Sequence, residues 1–402
     1  MTELDLLYSE VEEDLRSAVR AVLADRCPPE AVLARCEGAE PYDTGLWRTL
    51  AREVGVAALQ VPEALGGAGA SLRESAVVLE ELGRACAPTP FLGSAVLATT
   101  VLLAAATDHG DVADTADLVD TVDTTDVAAL AMDLADLASG ERTATLAVPL
   151  STAPDAPFPQ GVRATGAGEL SGEISSVPDA LTAGLLIVPA DGPSGPGLYA
   201  VDGAHAVVTP RGSLDLTRPL ADLSLAGAPG RLLVGPDRAE GVLRRALLTG
   251  AALLASEQLG LAEWCLTATV AYLRERRQFG RVVGSFQALK HRLADLWLDV
   301  TGARAAARAA ADALASDAPD AAILVAVAAS HCSDVAVRAA EEAVQLHGGI
   351  GMTWEHPVHL YLKRAKADQL ALGTPGRHRA ALAVLAALPA PGGGGLPRLP
   401  HV

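Results

Sequence analysis

The chain has 402 residues, half of them hydrophobic and only 3% aromatic, and it carries a formal net charge of -18. This length allows two or three domains, and the dominance of Ala and Leu favours packed helices over a β-sandwich. Because so acidic a surface repels phosphate backbones and anionic lipids, we expect neither nucleic acid nor a membrane surface as a partner.

The cysteines and the N-terminus bear on the cellular setting. Five cysteines are scattered without CxxC spacing: Cys27, Cys36, Cys86, Cys265 and Cys332. Their odd number and spacing favour a reduced, cytoplasmic setting and predict no zinc or other metal site. The N-terminus is acidic and helical in pattern, without the basic stretch and apolar run of a signal peptide. The longest apolar runs, such as Ala246–Leu254, are far shorter than a membrane span.

The first part of the chain is predicted to be an N-terminal helical domain over residues 1–138. Residues 4–25 and 44–54 have the spacing of amphipathic helices, and 71–105 is strongly helical again. A Gly-rich turn, Val61–Gly69, separates the second and third of these segments.

An acidic low-complexity insertion is predicted at residues 106–138. Aspartates recur there at every third position: Asp108, Asp111, Asp114, Asp117, Asp120, Asp123 and Asp126. This spacing fits neither the roughly 3.6-residue period of a helix nor the two-residue period of a strand, so we interpret the segment as solvated. Calcium binding is the alternative, but the segment lacks the alternate ligands, the Gly and the distal Glu of an EF-hand loop.

A change of pattern marks the rest of the domain order. From 139 to 236, short apolar runs such as TATLAVPL and LTAGLLIVPA are bounded by Gly, Pro and Asp, which predicts a middle β-domain. Helical spacing returns over 237–388, and residues 389–402 are Pro- and Gly-rich and are predicted to be a disordered tail. The predicted fold class is therefore mainly α with a central β-domain.

The first candidate for chemistry lies at a break between two predicted helices. Three arginines and a glutamine precede the pair Phe279-Gly280 there: Arg274, Arg276, Arg277 and Gln278. Guanidinium forks suit a diphosphate, and an aromatic ring suits an adenine face. A basic helix end that complements the helix dipole is the plainer interpretation, and composition alone favours it.

The second candidate is a glycine-rich interruption of a helical pattern, at Gly348, Gly349 and Gly351. Paired glycines there allow a ligand to approach the backbone closely. A simple turn that ends the helix is the alternative, and the glycines by themselves favour that alternative.

Taken together, the two segments resemble the acyl-CoA dehydrogenase family. The matching stretches are RRQFG followed by SFQALKHRLAD, and, about 60 residues later, QLHGGIGM and HPVHLYLKRAKADQLALGT. VPEALGGAG and VPDALTAGLLIVPA resemble the family's N-terminal turn and a strand pair of its middle domain. The similarity covers nearly the whole chain, strongly after Glu240 and weakly at 106–175. It implies an N-terminal helical domain, a middle β-barrel-like domain, a C-terminal four-helix bundle and FAD as the cofactor.

The resemblance implies eight cofactor contacts, carried over position by position: Arg276, Gln278, Phe279, Gln287, Gln345, Gly348, Gly349 and Thr374. In the family FAD lies between subunits, so Arg276, Gln278 and Phe279 are expected to reach the diphosphate and adenine from a neighbouring subunit. His347 is interpreted as a packing residue rather than a proton carrier.

The family's reaction needs a carboxylate that this chain lacks at the expected positions. Family members desaturate acyl-CoA thioesters: a Glu or Asp of raised pKa removes the α-proton while the β-hydride moves to the flavin. The Glu that most members place before a Gly-Thr pair corresponds to Leu372. The earlier position that a minority uses corresponds to Gly250, and the Arg beside it to Ala251. No catalytic residue is therefore predicted, and the Leu372 backbone N–H is expected to remain as a donor for the thioester oxygen.

Side chains elsewhere offer only weak substitutes for the missing groups. Glu257 lies about 10.5 Å along the helix axis from Gly250, and Asp368 lies one helical turn before the first base position. The β-domain signatures of the family are also broken, at VPLSTAPDAP and EISSVPDA. Ser175 or Ser176 is the nearest replacement for the hydroxyl that faces the flavin in the family.

Three functions remain open. The first is the FAD-binding subunit of a heteromeric acyl-CoA dehydrogenase, similar to base-lacking subunits of actinobacterial α2β2 enzymes in which a homologous Glu-bearing partner supplies the base. The same resemblance implies an acyl-CoA substrate and electron transfer flavoprotein as the acceptor. The second function is a self-sufficient, homo-oligomeric flavoenzyme with an unrecognised base. The third is a non-catalytic scaffold of the same fold.

Overall fold

The computed structural model describes residues 5–38, 40, 42–106 and 124–388. The run of aspartates up to residue 123 and the predicted tail at 389–402 lie outside the described residues. Helices come first in the chain, strands follow and helices return, which confirms the predicted fold class.

Six α-helices precede the strands among the described residues: α1 (Glu10–Arg26), α2 (Pro29–Glu37), α3 (Thr44–Arg48), α4 (Leu72–Arg84), α5 (Thr99–Ala106) and α6 (Thr124–Ala138). Capping boxes start two of them, Ser9 with Glu12 on α1 and Ser71 with Glu74 on α4. A π-type helical segment, Leu92–Ala98, leads into α5. Apolar side chains of these helices and of the C-terminal helices share one hydrophobic core.

The insertion predicted for 106–138 is wrong over its last part. Thr124–Ala138 is helix α6, and Leu130, Leu134 and Leu137 are buried. These leucines lie on one helix face because they are spaced by four and three residues. The recurring aspartates hid this spacing, since they suggested a single period for the whole segment.

Seven strands form the middle domain: β1 (Ala144–Leu146), β2 (Val162–Ala164), β3 (Glu169–Pro178), β4 (Leu185–Gly192), β5 (Gly195–Asp202), β6 (Ala206–Arg211) and β7 (Leu220–Val234). The strands β4, β2, β3, β7 and β5 pair in that order, and β5 pairs back with β4, so these five close a barrel. β1 runs parallel to β4, and β6 pairs with β7. The barrel has its own apolar core, with Leu186, Val188 and Leu223 buried. The predicted β-barrel-like domain is present.

Five helices follow the barrel: α7 (Pro236–Glu275), α8 (Gln287–Ala315), α9 (Ala321–His347), α10 (Val358–Asp368) and α11 (Pro375–Leu385). The long helices α7, α8 and α9 pack against one another, and the short helices α10 and α11 both pack on α9. A two-stranded hairpin, β8 (Arg277–Gln278) and β9 (Arg281–Val282), joins α7 to α8. This part is the predicted helical bundle, with a break between its last two helices.

The expectation that every apolar run is far shorter than a membrane span is wrong for the segment that contains α9. By length and composition, the segment Ala321–Met352 is apolar enough to cross a membrane. In the folded chain 61% of its most apolar window is buried, and α9 packs against α7, α8, α10 and α11. Its apolar surface is therefore used inside the bundle.

Candidate cofactor site and base positions

The hairpin after α7 presents an aromatic side chain at its tip. The strands β8 and β9 leave Phe279 and Gly280 as the two turn residues. Their φ angles are 53° and 76°, positive as a type I′ turn requires. The Phe279 side chain is 91% exposed. The ring therefore projects into solvent, with an edge-on contact to the Phe286 ring at a centroid distance of 6.2 Å.

A cavity of about 600 Å³ opens between the end of α7, the start of α8 and the end of α9. Its lining residues are Tyr272, Arg276, Gln278, Val283, Leu289, Arg292, Gln345, Leu346, His347, Gly348, Gly349 and Ile350. Small-molecule sites usually enclose about 300–1,000 Å³. We call it the cofactor cavity, because Arg276, Gln278, Gln345, Gly348 and Gly349 come together in it from the two candidate segments.

The glycines after α9 differ in their surroundings. Gly348 has φ 64° and ψ -139°, a conformation that L side chains rarely adopt. A Cβ added to Gly348 or Gly349 would meet no atom within 4 Å, so their backbone borders open space. A Cβ at Gly351 would lie 2.7 Å from the Val344 carbonyl oxygen, so this glycine is required for packing. The first two glycines leave the backbone accessible to a ligand.

Two polar residues of the cofactor cavity were not predicted, Tyr272 and Arg292. The Tyr272 carbonyl accepts a hydrogen bond from the Arg276 N–H at 2.9 Å, so the two residues are one helical turn apart. Helical spacing is the signal that would have found Tyr272. Arg292 on α8 forms an ion pair with Glu342 at 2.6 Å, and nothing in the local sequence indicated it.

Three of the predicted contacts, Phe279, Gln287 and Thr374, are not among the lining residues of the cofactor cavity. Gln287 is exposed as the first residue of α8. Thr374 is exposed as the N-cap of α11, where its Oγ1 accepts from the Arg377 N–H at 3.3 Å. Their contacts with a cofactor stay predictions.

The surroundings of His347 suit a packing residue. It is 3% exposed, stacks on the Tyr272 ring with centroids 4.6 Å apart, and packs at a tilt against the His356 ring with centroids 4.2 Å apart. Its Nδ1 lies 2.7 Å from the Ala343 carbonyl oxygen, which can only accept, so Nδ1 carries the proton. Burial lowers the pKa of this imidazole. A neutral, stacked ring fits packing better than proton transfer.

The two positions where the resemblance places a base meet in space. A Cβ added to Gly250 would lie 3.0 Å from Leu372 Cδ1 and 2.5 Å from Leu97 Cδ2. Leu97 and Leu372 are each 1% exposed. Hydrocarbon therefore fills the space between α7, the segment before α5 and the turn after α10. A carboxylate side chain at Gly250 would require both leucines to move.

The Leu372 backbone does not behave as expected. Its N–H donates to the Leu150 carbonyl oxygen at 2.7 Å, so the expectation that it serves a thioester oxygen is wrong for this structure. The Leu150 N–H donates in turn to the Ser176 carbonyl oxygen at 3.0 Å. Ser176 has φ 56° beside an irregularity of β3 and is half-buried, whereas Ser175 is exposed. The loop after β1 thus connects the base position to the strand that carries Ser176.

Two family models match the chain, the acyl-CoA dehydrogenase N-terminal domain at residues 9–110 and the acyl-CoA dehydrogenase C-terminal domain at residues 241–384. The chain belongs to the acyl-CoA dehydrogenase family. Members of this family are FAD-binding flavoproteins, so FAD is the cofactor that membership assigns.

Known acyl-CoA dehydrogenases align with almost the full chain. IpdE2 of Mycolicibacterium smegmatis is 37% identical over 91% of this chain and 96% of its own length. In the ChsE4-ChsE5 complex of Mycobacterium tuberculosis, a similar chain is 30% identical with a TM-score of 0.80, over 96% of this chain and 100% of that one. A chain of the Tcur3481-Tcur3483 steroid ACAD is 30% identical with a TM-score of 0.78, over 94% of this chain and 98% of that one.

The weaker candidate bases, Glu257 and Asp368, share two buried arginines. Arg218, just before β7, donates to Glu257 Oε2 at 2.6 Å and to Asp368 Oδ1 at 2.7 Å. Arg364 on α10 donates to Glu257 Oε1 at 2.7 Å and lies 3.6 Å from Asp368 Oδ1. All four side chains are at most 4% exposed. We call these four residues the buried ion cluster.

The two carboxyl groups of the buried ion cluster have pKa values that are shifted in opposite directions. Burial alone would raise the pKa of Glu257, but Arg218 and Arg364 outweigh burial and hold that pKa at about 2. Burial and the neighbouring Glu257 charge raise the pKa of Asp368 well above its usual value. Asp368 Oδ2 has no hydrogen-bond partner within the described part of the chain. Glu257 is thus the ionised partner of two arginines, and Asp368 is the carboxyl of the cluster that binds a proton more readily.

Proposed function

We propose that this chain is the FAD-binding subunit of a heteromeric acyl-CoA dehydrogenase whose partner subunit supplies the catalytic Glu. The observation that carries the proposal is the contact of Gly250 with Leu97 and Leu372, which fills the place of the base with hydrocarbon. The cofactor cavity, in contrast, keeps its cationic and amide donors. A chain that has lost one half of a site and kept the other suits an active site shared between unlike subunits.

The separation of the two halves supports sharing. Gly250 and Arg276 are 26 residues apart along α7 and its C-cap, roughly 39 Å at about 1.5 Å per residue. An extended flavin dinucleotide is shorter than this distance. The cofactor cavity therefore suits a cofactor whose flavin ring lies against another subunit.

The residues of the cofactor cavity fit the diphosphate end of FAD. Arg276 and Arg292 bring guanidinium groups to its wall, Gln278 and Gln345 add amide donors, and Gly348 leaves its backbone open. FAD, when bound, supplies the acceptor for the substrate hydride. In this proposal the residues of this chain bind and orient the cofactor, and removal of the α-proton falls to the partner subunit.

The side of this chain that carries its own base position leaves little room for an acyl-CoA. The Leu150 carbonyl oxygen occupies the Leu372 N–H. The cavities beside the base positions are small, about 110 Å³ between the loop from Thr152 to Phe158 and α7, and about 270 Å³ beside Thr249. Small-molecule sites usually begin at about 300 Å³. We therefore propose that the productive acyl site belongs to the partner subunit.

The names of two similar structures guide the choice of partner and substrate. One is the ChsE4-ChsE5 complex and the other is the Tcur3481-Tcur3483 steroid ACAD, each named for two proteins. We propose a homologous, Glu-bearing subunit as the partner and a steroid-derived acyl-CoA as the first substrate to test. Electron transfer flavoprotein is the acceptor proposed from the family resemblance.

Flavin reduction without oxygen tests the proposal. The purified chain with FAD, mixed with octanoyl-CoA or a steroid side-chain CoA thioester, is expected to keep its oxidised-flavin absorbance. Co-purification with the Glu-bearing homologue is expected to allow bleaching, and Glu→Gln in the homologue should abolish it. Rapid bleaching by this chain alone would contradict the proposal. A complex that takes up no FAD would favour a scaffold instead.

One observation favours a self-sufficient enzyme as the second candidate. Asp368 has the raised pKa that a general base requires, and its Oδ2 is unpaired within the described part of the chain. Its Oδ1, however, accepts from Arg218 in the buried ion cluster. If the chain alone turns over acyl-CoA, Asp368→Asn decides the question. Loss of turnover would support Asp368 as the base, and unchanged turnover would exclude Asp368 as the base.

A further inference from the structure

A second cavity, of about 240 Å³, lies where the N-terminal helices meet the barrel. Trp47 and Arg48 of α3 form one wall, and Arg142 and Thr182, from the turns before β1 and β4, form another. β1 begins beside this cavity, whereas the loop that bonds to the base position follows the other end of β1. The cavity shares no lining residue with the cofactor cavity. It is therefore separate from both parts of the site described above.

Donor groups in the wall of this second cavity lack acceptors. Trp47 is 6% exposed, and its Nε1–H has no hydrogen-bond partner in the described structure. An indole N–H can only donate, and buried polar groups are nearly always paired. Thr182 Oγ1 is also buried and unpaired. The Arg48 guanidinium forms no ion pair or hydrogen bond with any described residue. A ligand that satisfies these groups must offer acceptor atoms.

The other charged residues of the second cavity are already paired. Arg142 pairs with Asp133 at 3.2 Å, and Glu141 pairs with Arg52 at 3.1 Å. Arg48 is therefore the lining cation that is left for a ligand among the described residues. One cation beside an unpaired N–H and an unpaired hydroxyl selects an anion.

We propose that the second cavity binds a small carboxylate with a flat, apolar body. A carboxylate matches the fork of the Arg48 guanidinium and can also accept from Trp47 Nε1. Tyr42 and Pro90 line the cavity and offer ring surfaces to the apolar body. The cavity volume of about 240 Å³ lies below the roughly 300 Å³ at which small-molecule sites usually begin, so the ligand has the size of benzoate and not of an acyl-CoA. This site does not depend on the function proposed above.

Benzoate, benzamide and inorganic phosphate are the probes for this site, titrated into the full chain by calorimetry and by tryptophan fluorescence. Benzoate is expected to bind saturably, and benzamide, which has the same shape without the charge, at least about tenfold more weakly, as expected when a charge-assisted hydrogen bond is lost. Arg48→Gln and Trp47→Phe should each weaken benzoate binding by a similar factor. The matched controls are Arg163→Gln, on the exposed face of β2, and Trp297→Phe, on the exposed face of α8.

Several outcomes would overturn the site. Equal binding of benzoate and benzamide would show that the site does not recognise a carboxylate. Tighter binding of phosphate than of benzoate would show that the preferred ligand is a phosphate. If Arg48→Gln binds benzoate as tightly as Arg163→Gln does, Arg48 does not contribute to ligand binding. Because Arg48 is exposed, its variant is expected to fold, so the test stands even if Trp47→Phe does not fold. Absence of saturable benzoate binding by the unmodified chain would also reject the proposal.

Discussion

At Gly250 the close approach of α7 to two leucines depends on a missing side chain. Gly250→Ala brings a Cβ against Leu97 and Leu372 and is expected to cost about 1–3 kcal/mol of unfolding free energy through overpacking. Gly241→Ala, on the same helix, is the matched control, because a Cβ there meets no atom within 4 Å. This control should be stabilising, since Ala favours helix over Gly by about 1 kcal/mol. Denaturant unfolding measures both, and equal effects would contradict the packing at Gly250.

The two carboxylates of the buried ion cluster are expected to respond differently to substitution. Glu257→Gln removes the ionised partner of two buried arginines and is expected to cost about 3–5 kcal/mol of unfolding free energy. Asp368→Asn is expected to cost less, since the raised pKa of Asp368 means that the fold stabilises its charged form less than that of Glu257. Chemical denaturation at neutral pH compares the two variants. A larger cost for Asp368→Asn would show that the charges are assigned to the wrong groups.

The same distinction should appear in the pH dependence of stability. The pKa of Glu257 is about 2 in the folded chain, against an ordinary value of 4.5. Its stabilisation is therefore complete above about pH 4.5 and is lost as the pH falls towards about 2. Asp368 acts with the opposite sign, because a raised carboxyl pKa makes the fold more stable as the pH falls through it. Unfolding free energies between about pH 2 and 7 should show an acid loss that Glu257→Gln reduces. An unchanged loss in that variant would refute this account.

At the scale of elements, the hairpin after α7 places the neighbouring residues Arg276 and Arg277 differently with respect to the cofactor cavity. Arg276 and Gln278 line the cofactor cavity and Arg277 does not, as the alternation of an extended strand requires. Arg276→Gln should lower the FAD affinity of the assembled complex at least about tenfold, since a charge-assisted hydrogen bond contributes about 1.5–3 kcal/mol. Arg277→Gln removes the same charge and should change the affinity little. Titration with FAD compares them, and equal losses would indicate a general charge effect rather than a contact.

Local sequence patterns predicted elements well where the role of a residue depends on nearby backbone. A helix break at Arg276 and a glycine pair at Gly348 are visible over a few positions, but only the family resemblance marked these residues as cofactor contacts. The helix α6 was missed because the aspartate spacing obscured a short run of leucines. Leu150 carried no signal at all, since its carbonyl oxygen meets the Leu372 N–H from more than 200 positions away. A backbone contact of that kind leaves no trace in either local segment.

For the whole molecule, Arg218 joins the barrel to the helical bundle. Arg218→Met leaves Glu257 and Asp368 buried with a single arginine and is expected to cost about 3–5 kcal/mol. Calorimetry should then show unfolding at a lower temperature than in the unmodified chain. Arg211→Met is the control, because Arg211 pairs with Asp222 on the barrel surface and is half-exposed. A single transition at the original temperature for Arg218→Met would contradict this role.

At this scale the sequence predicted the order of the parts but not how they are joined. Arg218 and Asp368 are 150 positions apart, and neither lies in a segment that composition marks as a junction. The base positions were different, because the family resemblance identified Gly250 and Leu372 without showing that they touch. Their contact required the packing of α7 against the turn after α10, which depends on the whole core.

The helix α9 also bears on how the chain is made. It leaves the ribosome as a segment with the length and apolar character of a membrane span. Two of its packing partners, α7 and α8, have been synthesised by then, because synthesis proceeds from the N-terminus. We expect them to cover α9 before a targeting factor or a second nascent chain does. The order of the helices, as well as their final contacts, then protects the newly made protein from misdirection and aggregation.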